Sequence, residues 1–395
     1  MSEHAFDVAV IGGGPVGGLT AGLIAKSGYK VAIIEEHEEI GEPVQCAGLI
    51  TPRCFEIVDH ARKSILNKVK GADIFSPAGQ VLSIGKSNVQ AVVIDRGAFD
   101  RQILDNAVDS GALLLAGKRM KEIKFTGECD IALGKEKINA KLVIGADGAK
   151  SITRSMLGFE EPAHQLNGFS ADINGLDIDQ EKVNVFFGRD LAPNFFAWMI
   201  PVGDITRVGL CVRDSHKTVY EHFKRLFKAG KTADLLKNGK IIGTSSGIIP
   251  IGMPARTSAE RGMIVGDAAS QVKATSGGGI YPGLVCARHC AATAISALEK
   301  DDFSRKMLSH YHESWTSELG DELKKAMMMH GIIASLSDEQ LEDVFKMLSR
   351  KEIIDIINNV GDIDYPSKLG WMLLRKEPGL LKYAGKFLKF GLRDF

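Results

Sequence analysis

Three clusters of residues in this chain have the types and spacing to do chemistry. The first is Gly12, Gly14 and Gly17 in the run GGGPVG, followed 23 residues beyond Gly12 by Glu35. In such a GxGxxG turn the first glycine lets the chain reverse and the second lets backbone approach a pyrophosphate. The third lets a helix pack closely on a strand. Helix amides from Pro15 and Val16 onward would face the phosphates. An acid at Glu35 would accept hydrogen bonds from an adenosine ribose. The second cluster is Gly266-Asp267 and the Gly277-Gly278-Gly279-Ile280 run, a carboxylate followed by a glycine turn. The third is Cys46, a thiol among small residues in GEPVQCAGLIT at 41–51.

The elements that must hold these residues are also legible. The stretch DVAVIGGGPVGGLTAGLIAKSGYKVAIIEE reads as strand, turn, helix, strand. Val8 to Ile11 is an apolar run suited to a buried parallel strand. Ala21 to Ala25 continue the helix, Gly28 can end it, and Val31 to Ile34 form the next strand. A glycine-rich turn in an unrelated α/β protein is the alternative; two strands, a helix and an acid in place favour a dinucleotide. No second GxGxxG follows, and no CxxxxC pair lies near the first helix, which argues against two-dinucleotide disulfide reductases. KLVIGADGAKSITRSMLG brings a strand into Gly145, Asp147 and Gly148, then Ser151 and Arg154. GMIVGDAASQVKATSGGGIYPGLVCARHCAATAI brings another strand into Asp267 and the triple-glycine turn.

Composition narrows the class. The 395 residues suffice for about two to three domains. Apolar content of 45% and charged content of 25% suit a soluble globular protein. Lysine plus arginine equals aspartate plus glutamate at 49 each, so global charge gives no reason to expect nucleic acid. Cys46, Cys54, Cys129, Cys211, Cys286 and Cys290 form no CxxC pair, which fits a reducing cytoplasm. The N-terminus lacks a signal-peptide pattern, and no 18-residue apolar run exists to span a membrane.

The glycine fingerprint, the Gly145–Gly148 segment and the Gly266–Ile280 segment together resemble the flavoproteins built like para-hydroxybenzoate hydroxylase. The likeness holds in order and spacing over roughly residues 1–300. It implies an α/β (α+β overall) fold: a Rossmann-like FAD-binding domain, an antiparallel-sheet substrate domain and a helical C-terminal region. It also implies that Asp267 bonds the ribityl chain of FAD. Gly278, Gly279 and Ile280 would open a helix aimed at the flavin ring, where free amides stabilise the negative charge of reduced flavin. By the same resemblance Arg96 lies along FAD, with Arg101 competing, Met120 touches the adenine through its backbone, and Asp147 is a turn residue near the cofactor. The plainer alternatives are a helix N-cap for Asp267, an Asx-turn for Asp147 and a surface position for either arginine.

GEPVQCAGLIT resembles the C-x-G signature of the geranylgeranyl reductase branch. There Cys46, Ala47 and Gly48 would border the flavin ring, with Leu49 next in line. Cys46 would protonate a substrate carbon or simply fill space as a small hydrophobe. Phe196-Ala197-Trp198-Met199-Ile200-Pro201 is similar to the Y-x-W-x-F-P of that branch. Trp198 and Pro201 match; Phe196 and Ile200 depart toward the W-x-W-x-I-P of flavin-dependent halogenases. Phe196 and Trp198, two apart, share a strand face and could grip an apolar chain, or serve only as sheet core. The resemblance implies an FAD-dependent reductase of the C=C bonds of geranylgeranyl chains in archaeal membrane lipids. Cys46, Phe196 and Trp198 are its catalytic candidates. A polyprenyl lipid is the substrate, and reduced ferredoxin and NAD(P)H stand open as electron donors. One alternative on this fold is an oxygen-using monooxygenase or halogenase; a halogenase needs a lysine over the cavity, and the sequence singles out none. Another is a non-catalytic prenyl carrier related to the Rab escort proteins, which lack a working flavin site.

The domain expectation is 1–67, 96–166 and 248–300 for FAD, 68–95 and 167–247 for the antiparallel sheet, and 301–395 for helices. VNVFFG, FFAWMIPVG and TRVGLCVR read as strands. Ser337 reads as an N-cap with Glu339 nearby. Met327 to Met329 point in different directions and read as core. His310 and His312 do not share a helix face, so no metal is assigned. Residues 366–395 carry seven basic side chains against two acidic. Trp371, Leu380, Leu381, Phe387, Leu388 and Phe390 are interleaved among them. Such a tail either lies on an anionic inner membrane face or packs on its own domain.

Overall fold

The strand His4–Ile11 lies at the centre of the first sheet. The computed structural model describes residues 4–228 and 230–383. His4–Ile11 pairs in parallel with Val31–Ile34 on one side and Glu136–Gly145 on the other, and Gly262–Ile264 continues beyond. The alternation of a strand sends Val8, Val10 and Ile33 to one face and Ala9, Ile11, Ala32 and Ile34 to the other. Both faces are covered. Helices Pro15–Lys26, Arg96–Asp109 and Ile280–Lys300 pack on the first. Met120, Ile123 and Ile131, from the segment that adds the antiparallel strands Glu122–Phe125 and Cys129–Leu133, cover the second. The first two helices approach closely because they meet at glycine. A Cβ on Gly22 would come within 3.1 Å of the Ala107 backbone.

The second sheet has seven strands, ordered Lys240–Ile251, His164–Asn174, Ile205–Val212, Ala197–Val202, Lys182–Phe186, Gly71–Phe75 and Val81–Gly85. All neighbours are antiparallel except Lys182–Phe186 beside Gly71–Phe75. A third, small sheet joins Leu49–Ile50, Ala91–Ile94 and Ile65–Val69. Three expected boundaries therefore cut through strands: 67/68 falls in Ile65–Val69, 166/167 in His164–Asn174, and 247/248 in Lys240–Ile251. Which strands pair depends on partners distant along the chain.

The C-terminal helices divide their packing. Tyr311 and Trp315 of Arg305–Trp315 are fully buried against the first sheet's domain. Tyr311 donates to the Ile264 carbonyl at 3.0 Å, and Trp315 to Thr257 Oγ1 at 3.0 Å. Asp338–Leu348 and Lys351–Val360 instead cover the outer strands of the seven-stranded sheet, with Phe345, Ile353 and Ile357 against Ile74, Leu82 and Ile84. Ser337 caps its helix in a capping box, completed by Gln340 at the third helical position rather than by Glu339. Met327 packs toward Phe195, Met328 is exposed and Met329 meets Gly370.

Candidate active site

A cavity of about 530 Å³ opens where the three sheets meet the start of Ile280–Lys300. One end is backbone. Gly12 has φ +106°, and a Cβ there would lie 2.3 Å from the Ala146 carbonyl. A Cβ on Gly17 would lie 2.0 Å from the Gly12 oxygen. Above Gly14 there is open space to 4 Å, and Gly14, Pro15 and Val16 line the cavity. Two glycines thus fit the strand to the helix, and one leaves a cradle at the helix N-terminus, the arrangement that holds a pyrophosphate. Glu35, at the end of its strand, accepts from Gly13 N at 2.7 Å and His37 N at 2.9 Å.

Asp267 lines the same cavity. Its carboxylate has no hydrogen-bond partner among the described residues, and it is not an N-cap. The backbone around it is fixed from behind: Gly266 N donates to Gln271 Oε1 at 2.8 Å, and Gln271 donates to the buried Tyr311 hydroxyl at 2.9 Å. A Cβ on Gly279 would sit 2.7 Å from Asp267 Oδ1, so a side chain there would displace the carboxylate. Desolvation pushes the Asp267 carboxyl above its usual range, and Arg96 pulls it back in part. An unpartnered carboxylate at a cavity wall suits the hydroxyls of a bound nucleotide, and these residues fit FAD.

Arg96 opens the helix Arg96–Asp109, where Asp95 caps by accepting from Ala98 N. It grips Asp100 with two bonds, of 3.1 and 2.8 Å, and also reaches the Cys46 sulfur. Burial works against its charge; Asp100 first, then Cys46, outweigh this and hold its pKa above the ordinary arginine value. Cys46 Sγ also accepts from Gly48 N at 3.3 Å. The Cys46–Gly48 loop is clamped twice. Ile94 N donates to the Gly48 carbonyl at 2.8 Å, and Arg207, itself paired with Asp172, donates to the Ala47 carbonyl at 3.0 Å. Cys46, Ala47, Gly48 and Leu49 all line the cavity.

The other end is apolar. Phe196, Trp198 and Ile200 project into the cavity at every second residue, beside Val183 and Val185 from the neighbouring strand. Phe196 stacks on Phe195 at 4.2 Å and meets Trp198 nearly edge-on at 6.3 Å. The buried Trp198 Nε1 has no hydrogen-bond partner among the described residues.

Of the residues singled out from sequence, the cavity therefore gathers Gly14, Pro15, Val16, Cys46, Ala47, Gly48, Leu49, Arg96, Phe196, Trp198, Asp267, Gly278, Gly279 and Ile280. It does not gather Gly12, Gly17, Glu35, Arg101, which donates to the Ile40 carbonyl, or Met120, which is buried under the first sheet. Asp147 is spent on Ser151 Oγ and on Thr153 N and Oγ1, at 2.5 to 3.0 Å. One reading needs correction: a lysine does line the cavity. Lys273 sits in the quoted run GDAASQVKATSGGGI, the one charge between Asp267 and Ile280, and that isolation was its signal. Its partner Asp364 carried no such signal. Among the described residues no cluster could hold a metal ion, and no helix is long and apolar enough to cross a membrane.

The family model of the FAD binding domain matches residues 5–317. An uncharacterised protein of Methanocaldococcus jannaschii is 34% identical, over 95% of this chain and 96% of its own. Digeranylgeranylglycerophospholipid reductase 1 of Methanococcoides burtonii is 31% identical, over 93% of this chain and 94% of its own. A crystal structure of a geranylgeranyl bacteriochlorophyll reductase-like protein from Thermoplasma acidophilum shares the fold. It gives a TM-score of 0.83 at 23% identity, covering 96% of this chain and all of that one. With the glycine cradle, the open Asp267 and the small Cys46 loop around one cavity, this chain belongs to the FAD binding domain family and, within it, to the digeranylgeranylglycerophospholipid reductases.

Proposed function

We propose that this protein binds FAD in the cavity and saturates the C=C bonds of geranylgeranyl chains in archaeal glycerophospholipids or their precursors. The observation that carries this reading is the joining of a nucleotide cradle to an apolar wall, with the Cys46 loop between them. Reduced FAD supplies the hydride. The chain's own residues do the rest. Phe196, Trp198, Ile200, Val183 and Val185 hold an extended apolar chain, which matters because an isolated alkene is a poor electrophile and needs close placement. Cys46 holds the proton that the second carbon takes up. Gly48 N donates to its sulfur, and Arg96 stands beside it.

Reduced ferredoxin or NAD(P)H feeds the electrons. The protein works in the cytoplasm and meets its lipid at the inner membrane face. Support for that contact comes from Trp371, 61% exposed on the helix Ser367–Lys376 and flanked by Lys368 and Arg375 at positions i−3 and i+4. Lys386, Lys389, Arg393, Phe387, Leu388 and Phe390 of the basic tail lie outside the described residues.

The test is anaerobic. The FAD-loaded protein is reduced with dithionite, freed of excess, and mixed with a geranylgeranyl phospholipid. The expected result is flavin reoxidation with a gain of about two mass units per saturated bond. A halogenase or monooxygenase reading gains Lys273 at the cavity wall, but its ammonium is committed to Asp364. Reoxidation only with oxygen and an aromatic substrate, with the lipid unchanged, would favour that reading.

A further inference from the structure

Cavity-lining charges are few. Among the described lining residues the cations are Arg96 and Lys273, and the anions are Asp100, Asp267 and Asp364. Arg96 is taken up by Asp100 and Cys46. Lys273 has a different setting. It is 4% exposed, and its Nζ donates to Asp364 Oδ1 at 2.5 Å and to the Ile363 carbonyl at 3.2 Å. Its backbone closes the glycine turn: the Lys273 carbonyl accepts from Gly277 N at 2.8 Å, and Lys273 N donates to the Gly278 carbonyl at 3.2 Å. A Cβ on Gly278 would lie 3.2 Å from Lys273 Cε. The ammonium stem thus runs beneath the turn that starts Ile280–Lys300.

Asp364 comes from the six-residue segment between the helices Lys351–Val360 and Ser367–Lys376. It is 2% exposed, and its second oxygen accepts from Thr51 Oγ1 at 2.6 Å and Arg53 Nη1 at 3.3 Å. Arg53 also binds Asp362 through two bonds of 2.7 Å, and Tyr365 meets the hydroxyl of Tyr281 at 3.1 Å. Such a network fixes the carboxylate, and through it the lysine. A charge held in a dry cavity wall acts on a bound group far more strongly than one in water.

We propose that Lys273, held by Asp364, is the cation that sets the reduction potential of the bound flavin, with Asp364 as its opposing charge. Two electrons and one proton give reduced flavin a negative charge. A fixed lysine beside the glycine turn favours that form, and the aspartate limits the effect. Charge near the ring is one of the means by which a protein tunes a cofactor's electronics. The inference rests on FAD binding, not on the lipid as substrate.

The test measures the oxidised-to-reduced equilibrium of FAD-loaded protein against a reference dye, anaerobically and without lipid. The variants are Asp364→Asn, the double variant Lys273→Met with Asp364→Asn, and Lys273→Arg. Asp364→Asn is expected to shift the equilibrium at least threefold toward reduced flavin. The double variant is expected to move at least tenfold toward oxidised flavin relative to Asp364→Asn, about 30 mV for a two-electron couple. Lys273→Arg should stay within threefold of the parent. Any other pattern overturns the proposal, including a common direction of shift for the two changes or no shift beyond threefold. Should Asp364→Asn fail to hold FAD, Lys273→Met is read against the parent, and a shift toward oxidised flavin below threefold overturns it. Failure to reduce lipid, with these shifts present, would count against the lipid reading alone.

Discussion

The two ends of the cavity are made of different material. At the cofactor end, glycines decide the shape: Gly12 and Gly17 each leave no room for a methyl group against backbone. At the substrate end, Phe196, Trp198, Ile200, Val183 and Val185 form the wall with their side chains. The first end is specified by steric exclusion and has little tolerance. The second is specified by apolar area and can be recut.

The sharpest way to break the cofactor end is Gly17→Ala. Its methyl would stand 2.0 Å from the Gly12 oxygen. The expected loss is about 3 kcal/mol of stability, as in other overpacked cores, with no flavin retained after gel filtration. Between the two ends, Cys46→Ala should keep its FAD while alkene reduction falls roughly 10²–10⁴-fold, the usual share of general acid catalysis. Retained flavin beside lost turnover, read by absorbance and lipid mass, separates the two ends.

Asp267→Asn probes the cost of the cofactor end. Burial raises the carboxyl pKa of Asp267 in the fold. The fold therefore prefers the protonated form, and the aspartate lowers stability once pH exceeds the ordinary carboxylate range. The apo-form of Asp267→Asn should melt higher than the parent at pH 7. That gain should vanish as pH falls below about 4, where the unfolded carboxylate is also protonated. Its flavin affinity should fall. A smaller effect belongs to substrate access. Removal of residues 384–395 spares Tyr383, which is buried and bonded to Asp343. It should weaken binding to anionic liposomes by on the order of 1 kcal/mol for each of Lys386, Lys389 and Arg393. Unchanged flotation would remove the tail from membrane contact.

Much of this was legible because it is local. Val8–Ile11, the glycine turn, Glu35 and the Asp267 loop are each a few residues whose types demand one backbone path. The alternation of Phe196, Trp198 and Ile200 is likewise visible in one strand. What was hidden depends on distant partners. Ile65–Val69 pairs with Ala91–Ile94 rather than with the seven-stranded sheet, a choice of partner that its own residues do not show. Lys273 stood in plain view inside a quoted motif, yet its meaning depends on Asp364, which follows it by 91 residues. Cys46 drew attention by its small neighbours, but nothing nearby foretold that Arg96 would face its sulfur.

The Asp362–Tyr365 segment has a consequence for the birth of the molecule. The glycine cradle is complete within the first few dozen residues and Asp267 within the first 270, yet one wall of the cavity waits for residue 364. A chain emerging from the ribosome therefore carries Lys273 without its counter-charge while about ninety more residues are made, at on the order of 5–20 per second. For those several seconds the pocket lacks the wall that Ile363 and Asp364 supply.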